Sequence, residues 1–413
     1  MSLLNKSIST GIASCIILLL FTLPSAAAPG ITDSTIVFGQ TACFSGPNKN
    51  LGLWYRAGIL TAFQEQNDRG GVYGRLLRLI SVDDAYEPDL AAANAEMFAS
   101  KNNVFAVIGG VGTPTAKRIV PVLRTAQIPF VGPFTGADFL RDAKKYPNII
   151  NLRAGYFDEI YELVHHMIDD LGKSRFGIIY QDDAFGRSVL KNYKDVLDSR
   201  DLPLLAKTSY SRNTHAVHAS LFALDKADLD AILIVGAYAA NSEIINLANS
   251  LGHQYIIANL SFVLSRELKK RINTLSDKVL VTEVMPDAED LNSHVVRQFQ
   301  QAIRLVPEDH AHEFNEVCLE GYILGRYLIA VLERMGGELT GVLPTSLPQE
   351  YKTEVLGRMG DELTREKFLR DGMSPAKPVV IGDWVIHFKS GENTGSSYIR
   401  LTHLGGDHSA KGE

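Results

Sequence analysis

Short apolar segments rich in β-branched and aromatic residues alternate with amphipathic segments from residue 34 onward. The apolar segments predict strands at Ile36–Gln40, Leu76–Asp83, Val104–Ile108, Phe130–Val131 and Ile149–Leu152. The amphipathic segments between them predict helices at Gly52–Asn67, Leu90–Ser100 and Thr115–Ala126. Strands separated by helices of this length form βαβ units, so we expect a parallel sheet covered by helices.

The same alternation begins again after residue 154. Predicted strands lie at Arg175–Tyr180, Leu204–Tyr210, Asp230–Val235, Tyr255–Ala258 and Lys278–Val284. Predicted helices lie at Asp158–Leu171, Phe185–Ser199, His215–Asp225 and Ala239–Leu251, with two more at His294–Arg304 and Glu313–Arg334. A short β-like tail follows, at Trp384–Phe388 and Ser397–Leu401. The sequence therefore predicts an α/β fold of two doubly wound, Rossmann-like lobes, and such sheets bind ligands beyond the carboxyl ends of their strands.

The N-terminal segment has a different pattern. Lys6 is followed by an apolar stretch from Ile12 to Leu23 and then by the small residues Ser25–Ala28. This stretch is shorter than the roughly 20 residues that cross a membrane. It predicts a signal peptide over residues 1–27, cleavage after Ala27 and export to the periplasm. A lipoprotein signal at Cys15 is the alternative.

Composition limits the class of partner. The chain has 413 residues, of which 46% are hydrophobic, enough for the cores of more than one domain. Its 41 Lys and Arg residues against 47 Asp and Glu residues give a net charge of −6. Without a basic patch to neutralise phosphates, nucleic-acid binding is not expected. A small molecule or another protein is the expected partner.

Two cysteines, Cys43 and Cys318, follow the predicted signal peptide. Export would place them where disulfides form. Sequence separation does not determine whether two Cα atoms come within disulfide reach, so one bridge and two free thiols both remain open.

Two loops combine glycine, threonine and proline directly after predicted strands. They read GGVGTPT at Gly109–Thr115 and GPFTGA at Gly132–Ala137. Glycine lets the backbone approach a ligand, and a helix that begins at Thr113 or Thr115 directs free N–H groups at an anion. The alternative is an ordinary helix start with Pro114 in the first turn. Two such loops in successive units favour a binding site.

Other signatures of chemistry are weak or missing. The sequence contains no G-x-G-x-x-G, no G-x-x-x-x-G-K-[ST] and no G-x-S-x-G. No histidine pair has a suitably spaced third ligand. We therefore predict no catalytic residue, cofactor or metal. Tyr238 follows a predicted strand and is flanked by small residues, so it is either part of the wall of a small-ligand site or a partly buried tyrosine at the rim.

Seven segments follow one another in an order known from one family. They are GQTACFSGP at 39–47, QNDRGGVYGRLLRLISVDD at 66–84, IGGVGTPTA at 108–116, VGPFTGADFLR at 131–141, YQDDAFGR at 180–187, VGAYA at 235–239 and CLEGYILGR at 318–326. Through them, residues 34–335 resemble the type I periplasmic binding proteins, specifically the leucine/isoleucine/valine-binding group of ABC-transporter substrate-binding proteins.

The resemblance implies two lobes that are joined by crossing strands and close on a ligand. Lobe 1 is expected to comprise 34–153 and 286–375, and lobe 2 is expected to comprise 154–285 and 376–403, with 404–413 as a flexible tail. The implied role is capture of an amino acid or related carboxylate for a membrane ABC permease, by a monomer or weak dimer that is not an enzyme. The alternative is a free-standing sensory receptor module of the same fold.

The resemblance also implies site residues. Carried over motif by motif, they are Thr113, Thr115, Phe134, Thr135, Tyr156, Phe157, Tyr238 and Ser261. One departure is that the loop reading NLSFV at 259–263 lacks the acid with which family members hold the ligand's ammonium. An unpaired ammonium in a dry cleft is costly, so either another acid supplies the charge, with Glu283 and Asp182 or Asp183 as candidates, or the ligand lacks the amine.

Overall fold

The computed structural model describes residues 28–304 apart from His215, residues 314–340, with side chains to Met335, and residues 363–405. The predicted signal peptide and residues 406–413 of the predicted tail lie outside the described residues. Among the helices in these ranges, none is long and apolar enough to span a bilayer.

The strands alternate with helices along the chain. The strands are β1 Thr35–Ala42, β2 Leu76–Asp83, β3 Ala106–Ile108, β4 Phe130–Val131, β5 Ile149–Ile150, β6 Phe176–Gln181, β7 Leu204–Tyr210, β8 Ala231–Val235, β9 Ile256–Asn259, β10 Val279–Glu283, β11 Val379–Ile381, β12 Trp384–Ile386 and β13 Arg400–His403. The helices are α1 Lys49–Asn67, α2 Pro88–Lys101, α3 Thr113–Thr125, α4 Tyr156–His165, α5 Ala184–Asp198, α6 His218–Leu224, α7 Tyr238–Ser250, α8 Ser265–Arg271, α9 His294–Ile303, α10 Glu316–Thr340 and α11 Arg365–Gly372.

Two separate sheets define two lobes. The first has five strands in the order β2-β1-β3-β4-β5, all parallel. The second has six strands in the order β13-β10-β9-β8-β6-β7, and only β13 is antiparallel to its neighbour. Strands β8, β9 and β10 are buried along their whole length because helices cover both faces, which explains their continuous apolar sequence. The predicted fold class is confirmed.

Helix α10 returns the chain to the first lobe by close packing on α1. A Cβ on Gly58 would lie 1.9 Å from the carbonyl oxygen of Cys318, and one on Gly321 would lie 2.3 Å from that of Tyr55. Only glycine permits this approach of the two backbones.

The described chain passes between the sheets after β5, after β10 and before β13. The β11–β12 hairpin contacts α10, whereas β13 pairs with β10 of the second sheet. The sequence-based division assigns all of 376–403 to lobe 2, but the structure places the hairpin against lobe 1.

Cys43 and Cys318 are both buried, and the structure contains no disulfide between them, which agrees with the alternative of two thiols. The backbone of Cys43 packs against Gly52 of α1, and that of Cys318 packs against Gly58. Six residues along a helix span about 9 Å, which exceeds the usual Cα separation in a disulfide. The Cys43 thiol instead donates to the Asn48 carbonyl oxygen, 3.3 Å away.

Candidate ligand site between the lobes

The two lobes contact each other across the cleft. The hydroxyl of Tyr238, in lobe 2, donates to the Pro47 carbonyl oxygen of lobe 1 at 2.9 Å. Asn213 accepts from Asn48 Nδ2 at 3.3 Å and donates to Glu87 Oε1 at 2.7 Å. These bonds join the β1–α1 and β2–α2 loops of one lobe to the other lobe, so the structure is a closed form.

Hydroxyl groups from the predicted loops meet inside the closed cleft. The Oγ1 atoms of Thr113 and Thr135 are 2.7 Å apart, and Thr135 donates to the Tyr156 hydroxyl at 3.3 Å. All three side chains are buried, and burial raises the pKa of Tyr156 to about 12. Thr115 differs, because its hydroxyl donates to the Gly112 carbonyl at 2.9 Å and so serves the start of its own helix. The structure therefore brings Thr113, Thr135 and Tyr156 together.

Aromatic rings fill the centre of the cleft. Phe262 lies in a single 3₁₀ turn, Ser261–Val263, that follows β9. Its ring centroid is 5.7 Å from that of Phe134 and 6.1 Å from that of Tyr86, both in lobe 1. It is also 5.0 Å from the ring of Phe185 in lobe 2. Phe262 therefore packs between the lobes, at the loop where the sequence lacks the expected acid.

A buried guanidinium lies beside these rings. Arg153 lies three residues after the end of β5 and is 1% exposed. Its Nη2 donates to Ser261 Oγ at 2.6 Å, and the guanidinium carbon lies 4.3 Å from the Phe134 ring centroid, within cation–π range. Its Nε is 3.6 Å from Glu320 Oε1. Arg153 thus connects Ser261 of lobe 2 to Phe134 and Glu320 of lobe 1.

Two buried carboxylates interact electrostatically with this guanidinium. Glu159 accepts from the backbone N–H of Ser261 at 2.8 Å, from Ser261 Oγ at 2.9 Å and from Thr282 Oγ1. Burial raises the pKa of Glu159, and the charge of Arg153 opposes that shift. Burial likewise raises the pKa of Glu320 to about 7. The buried guanidinium of Arg141 also interacts electrostatically with Glu159, whereas Glu320 has Arg153 as its ionic partner among the described residues.

Three predicted site residues have other partners or positions. Glu283 is paired with Arg400 and also accepts from Thr402 Oγ1 at 3.1 Å. Asp182 forms an ion pair with Arg187 at the surface. Phe157 is 42% exposed. These side chains satisfy local structure, so the structure does not support them as direct contacts of a ligand's amine or aromatic part.

The buried neighbour of Asp182 has a structural role. Asp183 caps α5 by accepting from the backbone N–H groups of Phe185 at 2.9 Å and Gly186 at 3.2 Å. A carboxylate occupied by these bonds is poorly placed to hold an ammonium.

The remaining space in the closed cleft is small. A cavity of about 20 Å³ lies on the hinge side, and its lining includes Phe134, Arg153, Ser261, Glu283, Glu316 and Glu320. This volume holds one water-sized group. A whole amino acid therefore does not fit in this cavity while the lobes are closed as they are here.

Several charged and aromatic residues at the centre of the site are not among those predicted from the sequence. Arg153, Glu159, Glu320, Tyr86 and Phe262 meet only through tertiary packing. One signal was available, since Glu320 is the single acid inside the quoted segment CLEGYILGR. A charge in such an apolar segment is seldom fully buried unless it is paired.

The chain matches a family model described as "Periplasmic binding protein" over residues 35–343. A relative named "Leu/Ile/Val-binding protein homolog 7", from Brucella abortus (strain 2308), is 26% identical over 317 residues. That match covers 74% of this chain and 77% of the relative.

Solved structures share the fold. A "possible leucine/isoleucine/valine-binding protein" from Rhodopirellula baltica SH 1 has a TM-score of 0.76 at 26% identity, covering 92% of this chain and 95% of the other. A branched-chain amino acid ABC transporter protein from Thermus thermophilus, with bound valine, has a TM-score of 0.74 at 15% identity, covering 90% and 93%. Since the family model spans most of the sequence and two such lobes enclose a cleft, the chain belongs to the periplasmic binding proteins, which are non-enzymatic solute-binding proteins.

Proposed function

We propose that this protein is exported, closes its two lobes on one amino acid or related small carboxylate, and delivers it to an ABC permease. The observation that carries the proposal is the cleft, where Thr113 and Thr135 of lobe 1 meet Tyr156 of lobe 2. Groups from both lobes must bind the same molecule if a ligand is to favour the closed form.

The lobe 1 side suits a carboxylate. Helix α3 begins at Thr113, where its first N–H groups and positive dipole end favour an anion. The hydroxyls of Thr113 and Thr135 can rotate from each other to donate to an oxygen of the ligand. The names of the relatives support this class of ligand, since they refer to leucine, isoleucine and valine.

Ligand binding is tested by a thermal-shift panel of amino acids, other carboxylates, aromatic acids, amides and purines. A ligand that binds only the folded form stabilises it by about 2.7 kcal/mol at 100 times its Kd, which gives a clear shift. The tightest-binding compound is then titrated by calorimetry. Absence of any shift with amino acids and carboxylates would refute the proposed ligand class.

The site is tested with Thr135→Val, which keeps the shape of the side chain and removes its hydroxyl. Loss of one hydrogen bond to a charged group costs about 1.5 to 3 kcal/mol, so affinity should fall about 10- to 150-fold. Thr125→Val is the control, because Thr125 is exposed and its hydroxyl donates only to Pro121 of its own helix. Equal affinities for Thr135→Val and wild type would exclude this site.

Delivery is tested by uptake of the labelled ligand into cells. Deleting the gene should abolish high-affinity uptake, and wild-type protein should restore it better than Thr135→Val. Unchanged uptake in the deletion strain would refute delivery while leaving ligand binding intact.

A further inference from the structure

The group that would neutralise an ammonium on the ligand can be found by following the hydrogen bonds of the buried acids. Glu159 has three donors on its two oxygens, from Ser261 and Thr282, so it is largely satisfied. Glu320 is 4% exposed, and among the described residues its one ionic partner is Arg153 at 3.6 Å, beyond hydrogen-bond distance. Of the two carboxylates that share Arg153, Glu320 is therefore the one with capacity for another donor.

The other acids on the cavity have their own cations. Glu283 is paired with Arg400 of β13, and Glu316 lies 3.8 Å from Arg266 of α8. Even so, Oε2 of Glu316 is buried and has no donor within the described part of the chain. The cavity thus presents two carboxylates on successive turns of α10 that can accept further donors, and beside them Nε and Nη1 of Arg153, which have no hydrogen-bond acceptor among the described residues.

The size of the cavity agrees with a single small cation. Its volume of about 20 Å³ admits one water-sized group, and an ammonium group has one heavy atom, as water does. Ser261 Oγ, which already accepts from Arg153, also lines this space. The rest of an amino acid requires the lobes to open further, so this volume limits only the group that enters the cavity.

We propose that Glu320, assisted by Glu316, pairs with the ammonium of the ligand and replaces the acid that the 259–263 loop lacks. The proposal rests on the proposed function and specifies its ligand as an amine-bearing carboxylate. The amine is then held from α10 of lobe 1, near the hinge, and Ser261 and Phe262 occupy the loop position opposite.

The sign of the pH dependence follows from the groups around Glu320. Burial and Glu159 raise its pKa, and Arg153 opposes them, with the result near 7. Tyr55 is a further titratable neighbour, and Glu283 and Glu316 line the same cavity. An ammonium favours ionised Glu320, so binding releases a proton and affinity for an amine rises from pH 6 to pH 8.

The test compares each amino acid with its 2-oxo acid, for example leucine with 4-methyl-2-oxopentanoate and phenylalanine with phenylpyruvate. Calorimetry should show the amino acid at least about 10-fold tighter for wild type, the equivalent of one lost charge-assisted hydrogen bond. Glu320→Gln should weaken the amino acid by at least that factor and leave the 2-oxo acid nearly unchanged. Glu283→Gln, the matched control on the same cavity, should change both ligands equally.

Three results would overturn the inference: a 2-oxo acid that binds as tightly as its amino acid, equal losses for both in Glu320→Gln, or amino-acid affinity that falls as pH rises. The last would mean that a ligand anion pairs with Arg153 instead. The pH series uses wild-type protein, so it decides the question even where Glu320→Gln does not fold. Failure of all carboxylates to bind would refute the proposed function itself, which is a separate outcome.

Discussion

Closure can be tested at the hydrogen bond between Tyr238 and the Pro47 carbonyl oxygen, which joins the two lobes at 2.9 Å. Tyr238→Phe removes the donor and keeps the ring, over which the guanidinium of Arg271 lies at 4.9 Å. Tyr238 is 1% exposed in the closed form, so no water takes over its bond there. In an open form, water can hydrate both groups.

The size of the effect follows from this difference between the forms. One hydrogen bond between neutral groups contributes about 0.5 to 1.5 kcal/mol net, and here it contributes only to the closed form. Ligand affinity depends on closure, so Kd should rise by about 2- to 13-fold. The free energy of unfolding of the ligand-free, open protein should change little.

The assay is calorimetric titration of the tightest-binding panel compound, together with thermal unfolding without ligand. Tyr322→Phe is the matched control, because its hydroxyl donates to Glu65 Oε2 at 2.9 Å within lobe 1. The control should lower Tm and leave Kd unchanged. An unchanged Kd in Tyr238→Phe, or a lower Tm without ligand, would refute the reasoning that this bond acts through closure.

Four further predictions follow from features described above. The free energy of unfolding of the ligand-free protein should fall as the pH rises from about 4.5 to 7, because Glu320 binds a proton more tightly when folded than unfolded. Urea titrations of Glu320→Gln at each pH should show a smaller fall, and a fall equal to that of wild type would contradict this. Gly58→Ala should destabilise by at least about 1 to 3 kcal/mol, since its Cβ meets backbone atoms of α10, and wild-type Tm in that variant would disprove the close packing. Thiol titration of denatured, unreduced mature protein should find Cys43 and Cys318 both reactive, and a result without reactive thiols would show that the two residues form a disulfide. N-terminal sequencing of periplasmic protein should begin near Ala28, whereas an intact Met1 would exclude cleavage.

The order of elements could be predicted because each lobe is built from local patterns. Strands β2, β4 and β7 have the predicted bounds, and the described part of the chain follows the predicted order of strands and helices through α7. Helix α8 was missed, since its seven residues, SRELKKR, carry charges on most positions and give a weak apolar stripe. The predicted helix Asp158–Leu171 is α-helical only to His165 and continues as a π-helical turn, a change that periodicity does not encode.

The site was only partly predictable because its chemistry depends on tertiary contacts. The loops that carry Thr113 and Thr135 each follow a predicted parallel strand, so the sequence assigns both loops to the same edge of the sheet. The pairing of Glu283 with Arg400 depends on β13 returning to β10, which no local pattern shows. The contact of Arg153 with Glu320 joins residues far apart in the sequence, so their shared burial emerges only from the folded chain.

The pairing of Asn151 with residues 393–395 affects how the lobes can move. Asn151 N–H donates to the Asn393 carbonyl at 2.8 Å, and Gly395 N–H donates to the Asn151 carbonyl at 2.8 Å. The passages after β5 and before β13 are therefore fastened side by side into a narrow strip. Such a strip bends readily across its flat face but resists torsion and in-plane shear. We therefore expect the lobes to open and close by rotation about one axis with little twist, so that the same interlobe contacts form again each time the protein closes.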